Sequence, residues 1–294
     1  MSRIHAYATV AALLLSAPLT PALADTKVFD LPDMISSSAE AFCGDGSIAG
    51  TATTSDWVTA AFTYTNKNGK VKLFSVPGST YTTAHACYEG RLMGQTIVDN
   101  LNQGFAVLPD GSVQLVSPTD GTWASVSGTN SSGTLVGFYY PDDLGGTVST
   151  GFVLKKDGSF ARYDVPNYSH TRLVQIAEDG TLLGNHSQGD PLRTNGFIDR
   201  QGVVEEIKVP SSYNTFVTGM NANGQVVGYY YQYGASKMGF VLKNGKYKTF
   251  SLISGGDTYP MGINNKAHVV GYFVNTTDWS SRNFIGKVGQ LIGH

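Results

Sequence analysis

The segment Gly219-Met220-Asn221-Ala222-Asn223-Gly224-Gln225-Val226-Val227-Gly228-Tyr229-Tyr230 is followed, eight residues on, by Gly239-Phe240-Val241-Leu242-Lys243-Asn244-Gly245-Lys246-Tyr247-Lys248-Thr249-Phe250, and then by Gly262-Ile263-Asn264-Asn265. β-Branched and aromatic residues fill the runs between Gly- and Asn-rich breaks, which is the composition of short strands. The unit reads as four strands: A over 215–221, B over 225–231, C over 239–243 and D over 246–252. Asn244-Gly245 between C and D is a tight hairpin signal, because both residues tolerate positive φ.

Working outward, the unit recurs. A small or polar residue followed by Phe occurs at Ala61-Phe62, Gly104-Phe105, Gly151-Phe152, Gly196-Phe197, Gly239-Phe240 and Asn283-Phe284, at spacings of 43, 47, 45, 43 and 44. A glycine after two mostly apolar residues is the second anchor: Gly50, Gly94, Gly137, Gly184, Gly228 and Gly271. The two anchors run in phase and define six units of about 45 residues, the arithmetic of propeller blades. No stretch carries a 3.6-residue apolar period, so essentially no helix is expected. The sequence therefore predicts an all-β fold over residues 25–294, a six-bladed β-propeller of four-stranded antiparallel blades. The sixth unit runs out of chain, its strand D cut short near Gln290-Leu291-Ile292. Lys27-Val28-Phe29-Asp30-Leu31-Pro32 matches the strand D segment Lys72-Leu73-Phe74-Ser75-Val76-Pro77. The N-terminal segment is thus expected to complete the last blade and remove its open edge.

Composition narrows the function. Among 294 residues, 20 Lys and Arg face 22 Asp and Glu, a net charge of −2, and charged residues are only 14 %. With no basic excess, a phosphate-tracking nucleic-acid binder is excluded. With 16 Tyr, 14 Phe and 3 Trp, the chain is not disordered in bulk. Arg3, the uncharged run from Ala6 to Ala17, and Ala22-Leu23-Ala24 read as a secretory signal peptide, residues 1–24, with cleavage expected after Ala24. That run is too short to span a ~30 Å hydrocarbon core. The expectation is a secreted chain, periplasmic or extracellular, without membrane insertion.

The repeat, clearest over 219–230, 239–250 and 262–265, resembles the HAF-repeat family of extracellular bacterial proteins. The resemblance covers nearly all of residues 25–294 and is weakest in the first two units. It departs from the family where a His usually precedes the small-Phe pair; that position holds Ala60, Gln103, Thr150, Asn195, Met238 and Arg282. The resemblance implies a secreted β-propeller. It carries no established activity and transfers no catalytic residue.

Cys43 and Cys87 lie 44 residues apart, one repeat. Both are read at the strand A position held elsewhere by Asn130, Ala177, Asn221 and Asn264. Equivalent positions on adjacent inner strands are near one another, so an exported chain is expected to form a disulfide between blades one and two. A reactive or metal-binding thiol pair is the weaker reading, since there is no Cys-x-x-Cys and no His at ligand spacing.

In an up-and-down blade, the A–B and C–D turns share one face and the B–C and D–A loops the other. The first set is tight and the second longer and variable, so the long-loop face is the expected binding face. Asp56-Trp57 and Asp278-Trp279 fall in B–C loops of units one and six, neighbours once the ring closes, and are expected side by side. Trp123 falls in a D–A loop on the same face, and Tyr139-Tyr140 and Tyr230-Tyr231 where strand B meets it. Aromatic faces with Asp and Asn side chains suit a sugar, although propeller aromatics also pack between blades. The expected ligand-binding residues are Trp57, Trp279, Asp56, Asp278, Trp123 and Tyr140. The expected partner is an extracellular glycan or a protein, engaged without catalysis.

The alternative is a glycan-active hydrolase or lyase at the channel mouth. Its weak catalytic candidates are His170, His186, Asp142, Asp143 and Asp190, around units three and four. Their spacing matches no ligand motif. No Gly-x-Ser-x-Gly, phosphate loop or His-Glu-x-x-His occurs. His85 is read at a strand A position elsewhere held by Gly, lining the channel as a packing substitution in preference to a base. No cofactor or metal is expected, and a structural Ca²⁺ is not predicted.

Overall fold

The computed structural model describes residues 26–189 and 193–292. The signal-peptide reading lies outside these residues. The chain opens with β1 (Lys27–Phe29) and then lays down six sheets. Blade 1 holds β2 (Met34–Phe42), β3 (Ile48–Thr54), β4 (Thr59–Thr65) and β5 (Lys70–Phe74). Blade 2 holds β6 (Ser79–Tyr88), β7 (Arg91–Val98), β8 (Leu101–Val107) and β9 (Val113–Val116). Blade 3 holds β10 (Gly121–Thr129), β11 (Leu135–Pro141), β12 (Thr150–Leu154) and β13 (Phe160–Tyr163). Blade 4 holds β14 (His170–Ile176), β15 (Leu182–Gln188), β16 (Arg193–Arg200) and β17 (Val203–Ile207). Blade 5 holds β18 (Asn214–Met220), β19 (Val226–Tyr231), β20 (Met238–Lys243) and β21 (Lys246–Phe250). Blade 6 holds β22 (Asp257–Ile263), β23 (His268–Val274) and β24 (Ser281–Lys287), with β1 as its fourth strand. The fold is a six-bladed propeller of antiparallel four-stranded blades.

The N-terminal strand closes the ring. Val28 pairs with Phe284, and Arg282 holds Asp30 at 2.9 Å. Phe29 is buried and stacks on Tyr64 of blade 1 at 4.6 Å. Because β1 already occupies the outer edge of β24, the chain end cannot pair there. Residues 288–291, expected as a stub of strand D, form a helical turn instead, α1 (Val288–Leu291), with Leu291 buried over Gly286. A 3₁₀ turn, Asp142–Leu144, is the other departure from an all-strand reading.

The two sequence anchors are each other's cross-strand partners. Gly50 pairs with Phe62, Gly94 with Phe105, Gly137 with Phe152, Gly184 with Phe197, Gly228 with Phe240 and Gly271 with Phe284. All six rings are 0 % exposed. Opposite each glycine the inner strand carries a β-bulge, leaving one residue out of register: Glu40, His85, Ser127, Val174, Thr218 and Met261. The bulge pushes a carbonyl into the glycine's empty side. A Cβ at Gly228 would lie 1.9 Å from the Phe216 carbonyl oxygen and 2.9 Å from the Phe240 ring. Only a residue without a side chain fits there.

This register corrects two alignments. Counted along the inner strand from the residue facing the glycine, Cys43 shares its position with Asn130, Asn221 and Asn264, but the blade 2 equivalent is Tyr88; Cys87 pairs with Leu92, one residue earlier. His85 is the bulge residue, and Ala86 holds the position read for it. The cause is a tighter A–B connection in blade 2, where Glu89 and Gly90 both take positive φ, +50° and +79°. The disulfide forms all the same, with the Cys43 and Cys87 Cα atoms 4.9 Å apart. Asn221 Nδ2 donates to the Asn264 carbonyl of the next blade at 2.9 Å. Cys43 makes the same blade-to-blade link covalently.

Gly228→Ala is expected to cost about 3 kcal/mol or more of unfolding free energy, from overpacking against backbone. Urea denaturation measures it; a loss below about 1 kcal/mol would mean that the bulge relaxes freely.

Candidate functional site

On the tight-turn face the carboxylates hold turns. Asp110 accepts the Ser112 amide at 2.9 Å and its hydroxyl at 2.6 Å, and Asp45 does the same for Ser47. These hydrogen bonds hold both carboxyls below the usual range. A cavity of about 800 Å³ opens at this end of the channel, bounded by the disulfide, Tyr88, Glu178, Asn221 and Met220. Beneath it lies a chamber of about 130 Å³ reached by Glu40, His85, Ser127 and Thr218. Glu40 accepts from Ser38 at 2.9 Å and sits 2.9 Å from His85 Nδ1. Burial opposes the imidazolium, but the adjacent Glu40 carboxylate prevails and raises the His85 pKa. His85 thus lines the channel hydrogen-bonded to Glu40.

The long-loop face presents aromatic rings. Trp57 and Trp279 are 81 % and 76 % exposed. Among the described residues neither touches another aromatic ring, so the expected side-by-side pair is not formed. Each sits on a turn tip: Trp57 N donates to Thr54 O at 3.0 Å, and Trp279 N to Asn275 O at 2.8 Å. Their φ angles are +63° and +59°, and Trp123 has φ +52°. Left-handed backbone is uncommon for bulky residues and costs about 1 kcal/mol or more. The B–C loops of blades 3, 4 and 5 fill such positions with Gly145, Gly146, Gly189 and Gly234, and that of blade 2 with Asp99 and Asn100. Asp56 is exposed, while Asp278 is taken up by the Ser280 amide and hydroxyl at 2.9 and 2.6 Å.

Trp123, read as part of a D–A loop, stands instead at a bulge in β10, and with Tyr140 it belongs to a compact platform. The Trp123 ring lies 5.2 Å from Tyr140 and 5.3 Å from Phe138. The Arg172 guanidinium of blade 4 lies 4.7 Å over Phe138 and donates to Tyr140 Oη at 2.7 Å. On the other side of blade 4, Arg193 lies 3.5 Å over Tyr213, whose ring neighbours Tyr231 and the 84 % exposed Tyr233. Sequence reasoning missed Phe138, Arg172, Arg193 and Tyr213. No local pattern flags them, because each arginine stacks on a ring from a neighbouring blade. Tyr139, by contrast, is wholly buried and donates to Asp120 at 3.2 Å.

The catalytic candidates do not converge. His186 pairs with Thr171, and His170 with Ser187, so the two imidazoles leave opposite faces of the sheet. His186 is 2 % exposed and packed 3.6 Å from the Tyr168 ring centre. His170 Nδ1 accepts the Ser149 amide at 3.2 Å. Asp143 is held by both terminal nitrogens of Arg162, at 3.0 and 2.8 Å. Asp142 is exposed in the 3₁₀ turn, and Asp190 lies outside the described residues. Among the described residues no three His, Cys, Asp or Glu are grouped to hold a metal ion.

No family model matches this chain, and no curated protein matches it. Solved structures match in fold. A protein assigned as TolB from Agrobacterium tumefaciens is 11 % identical at TM-score 0.60, covering 85 % of this chain and 90 % of that one. TolB from Acinetobacter baumannii is 14 % identical at TM-score 0.56, covering 75 % of this chain and 55 % of that one, so this chain spans about half its length. A variant of the Aleuria aurantia lectin AAL in complex with Fucα1-6GlcNAc is 9 % identical at TM-score 0.51, covering 86 % and 93 %. A gluconolactonase from Xanthomonas campestris is 14 % identical at TM-score 0.51, covering 90 % of both chains. At these identities the likeness is one of fold alone, shared by a lectin and an enzyme.

His186, buried, and His85, half-buried, shift in opposite directions. Burial first, against weaker attraction from Glu206, pushes the His186 pKa down. Its contribution to stability is present above the ordinary value of about 6.5 and is lost as pH falls through the lowered value. The His85–Glu40 contribution is present below about 6.5 and is lost as pH rises through the raised value. Urea melts across pH 5–8 are expected to lose their acid-side decline in His186→Gln and their alkaline-side decline in His85→Gln.

Proposed function

We propose that this protein is a secreted, non-catalytic binding module that recognises an extracellular glycan through its long-loop face. The observation that carries the reading is the placement of all three tryptophans in left-handed backbone on that face, two of them more than three-quarters exposed. The Trp57 and Trp279 turns do not need tryptophan; glycine serves them better. Exposed indoles give a sugar ring an apolar stacking surface, and the rigid turn presents them at little entropic cost. The disulfide fits an oxidising compartment. No helix among the described residues is long and apolar enough to cross a membrane.

A second reading has one observation in its favour. The Glu40–His85 pair sits in the channel beneath an 800 Å³ cavity, where a carboxylate-oriented imidazole could act as a base toward a bound saccharide. This is the hydrolase or lyase alternative, moved to residues other than those read from the sequence.

Affinity electrophoresis of residues 25–294 against neutral and acidic polysaccharides tests the first reading, with the same incubations assayed for released oligosaccharide. Retardation without product is expected. Trp57→Gly/Trp279→Gly is expected to weaken it while leaving the melting temperature unchanged or higher, since glycine suits both turns. Retardation untouched by this pair would overturn the assignment of the tryptophans. Product that disappears in His85→Gln would favour the enzyme.

A further inference from the structure

Six arginines lie among the described residues, and four of them are neutralised by a carboxylate. Arg91 pairs with Glu89 at 3.0 Å, Arg162 with Asp143 at 2.8 Å, Arg200 with Glu205 at 3.1 Å and Arg282 with Asp30 at 2.9 Å. Arg172 and Arg193 are the exceptions among the described residues. Both are exposed, both belong to blade 4, both lie toward the long-loop face, and both rest on aromatic rings of the adjoining blades. Among the described residues, this places at one point on that face two guanidiniums that no carboxylate neutralises.

The geometry suits recognition of an anion. A guanidinium has five N–H donors. Arg172 commits two, one to Tyr140 Oη at 2.7 Å and Nε–H to Ser149 Oγ at 3.2 Å, and keeps three. Ring contact fixes the plane of each guanidinium before any ligand arrives, so little rotamer freedom remains to be lost. A planar fork of this kind matches a carboxylate bidentately.

The register sets the spacing. Arg172 pairs with Asn185, and Asn185 with Gly196, three residues from Arg193. Two strand separations and three residue rises place the two Cα atoms about 14 Å apart. The odd offset sends the side chains to opposite faces of the blade, Arg172 toward blade 3 and Arg193 toward blade 5. A ligand lying across the top of blade 4 would meet both cations and the rings beside them, Trp123 and Tyr140 on one side and Tyr213 and Tyr233 on the other. That span calls for a chain of several sugars.

We infer that the long-loop edge of blade 4 binds an anionic oligosaccharide, with Arg172 and Arg193 each taking an acidic group of a polyuronate-type chain and the adjoining rings taking the intervening sugar faces. This rests on the glycan-binding reading and names its ligand class.

The test measures binding of residues 25–294 to polygalacturonate, dextran sulfate, neutral dextran and single-stranded RNA, at low and high salt. Tight, salt-weakened binding of polygalacturonate and none of dextran is expected. Arg172→Gln/Arg193→Gln should weaken it about tenfold for each guanidinium removed. Arg172→Lys/Arg193→Lys keeps the charge without the fork, and its partial retention of affinity would show that the face is still folded. Neutral dextran bound as tightly as polygalacturonate and indifferent to the Gln pair would overturn the inference and leave the glycan reading standing. RNA and dextran sulfate bound as tightly as polygalacturonate would also overturn it, since charge alone would then suffice. No retardation by any saccharide would remove the glycan reading and this inference with it.

Discussion

In every blade a carbonyl of the inner strand occupies the space where the second strand would carry a β-carbon, and in all but blade 2 a phenylalanine ring closes over the same spot. In five blades the gap is 1.9–2.0 Å, and in blade 4 it is 2.7 Å. No side chain fits there, so the bulge, the glycine and the phenylalanine form one unit. The bulge bends the inner strand and frees one residue per blade from the ladder. Four of those residues reach the channel chamber. The packing motif that builds each blade therefore also lines the axis, and this is how Glu40 and His85, 45 residues apart in sequence, come to be paired.

Repetition of one unit makes the ring, and three departures from it fasten the blades on either side of blade 1. The first residues of the described chain supply the missing outer strand of blade 6. The disulfide replaces, between blades 1 and 2, the blade-to-blade hydrogen bond that Asn221 makes to Asn264. Phe29, stacked on Tyr64, fastens the closing strand to blade 1. The closing strand and Phe29 act where blade 6 meets blade 1, and the disulfide fastens the next junction, between blades 1 and 2.

The two ends of the channel have different chemistry. On the tight-turn face, carboxylates are spent on backbone amides and hydroxyls. On the long-loop face, tryptophans are held in backbone that favours glycine, and two guanidiniums lie on rings with no carboxylate among the described residues. Left-handed non-glycine backbone occurs at both ends, at Glu89, Gln201 and Ala267 on the tight-turn face, but on the long-loop face it carries the indoles of Trp57 and Trp279.

The blade count, the strand order, the ring closure by Lys27–Phe29 and the existence of the disulfide were legible in sequence. They follow from period-two patterning, turn chemistry and spacing, all of which are local. The register within the inner strand was not. A bulge adds a residue that spacing cannot reveal, and the short Glu89-Gly90 turn shifted Cys87 and His85 by one position. The site was legible only as far as single residues announce themselves, as Trp57, Trp123 and Trp279 do. The burial of His186, the separation of the two Trp tips, the Glu40–His85 pair and the stacking of Arg172 and Arg193 were decided by the tertiary structure. Each depends on which neighbouring blade a side chain meets, and that contact has no fixed distance along the chain.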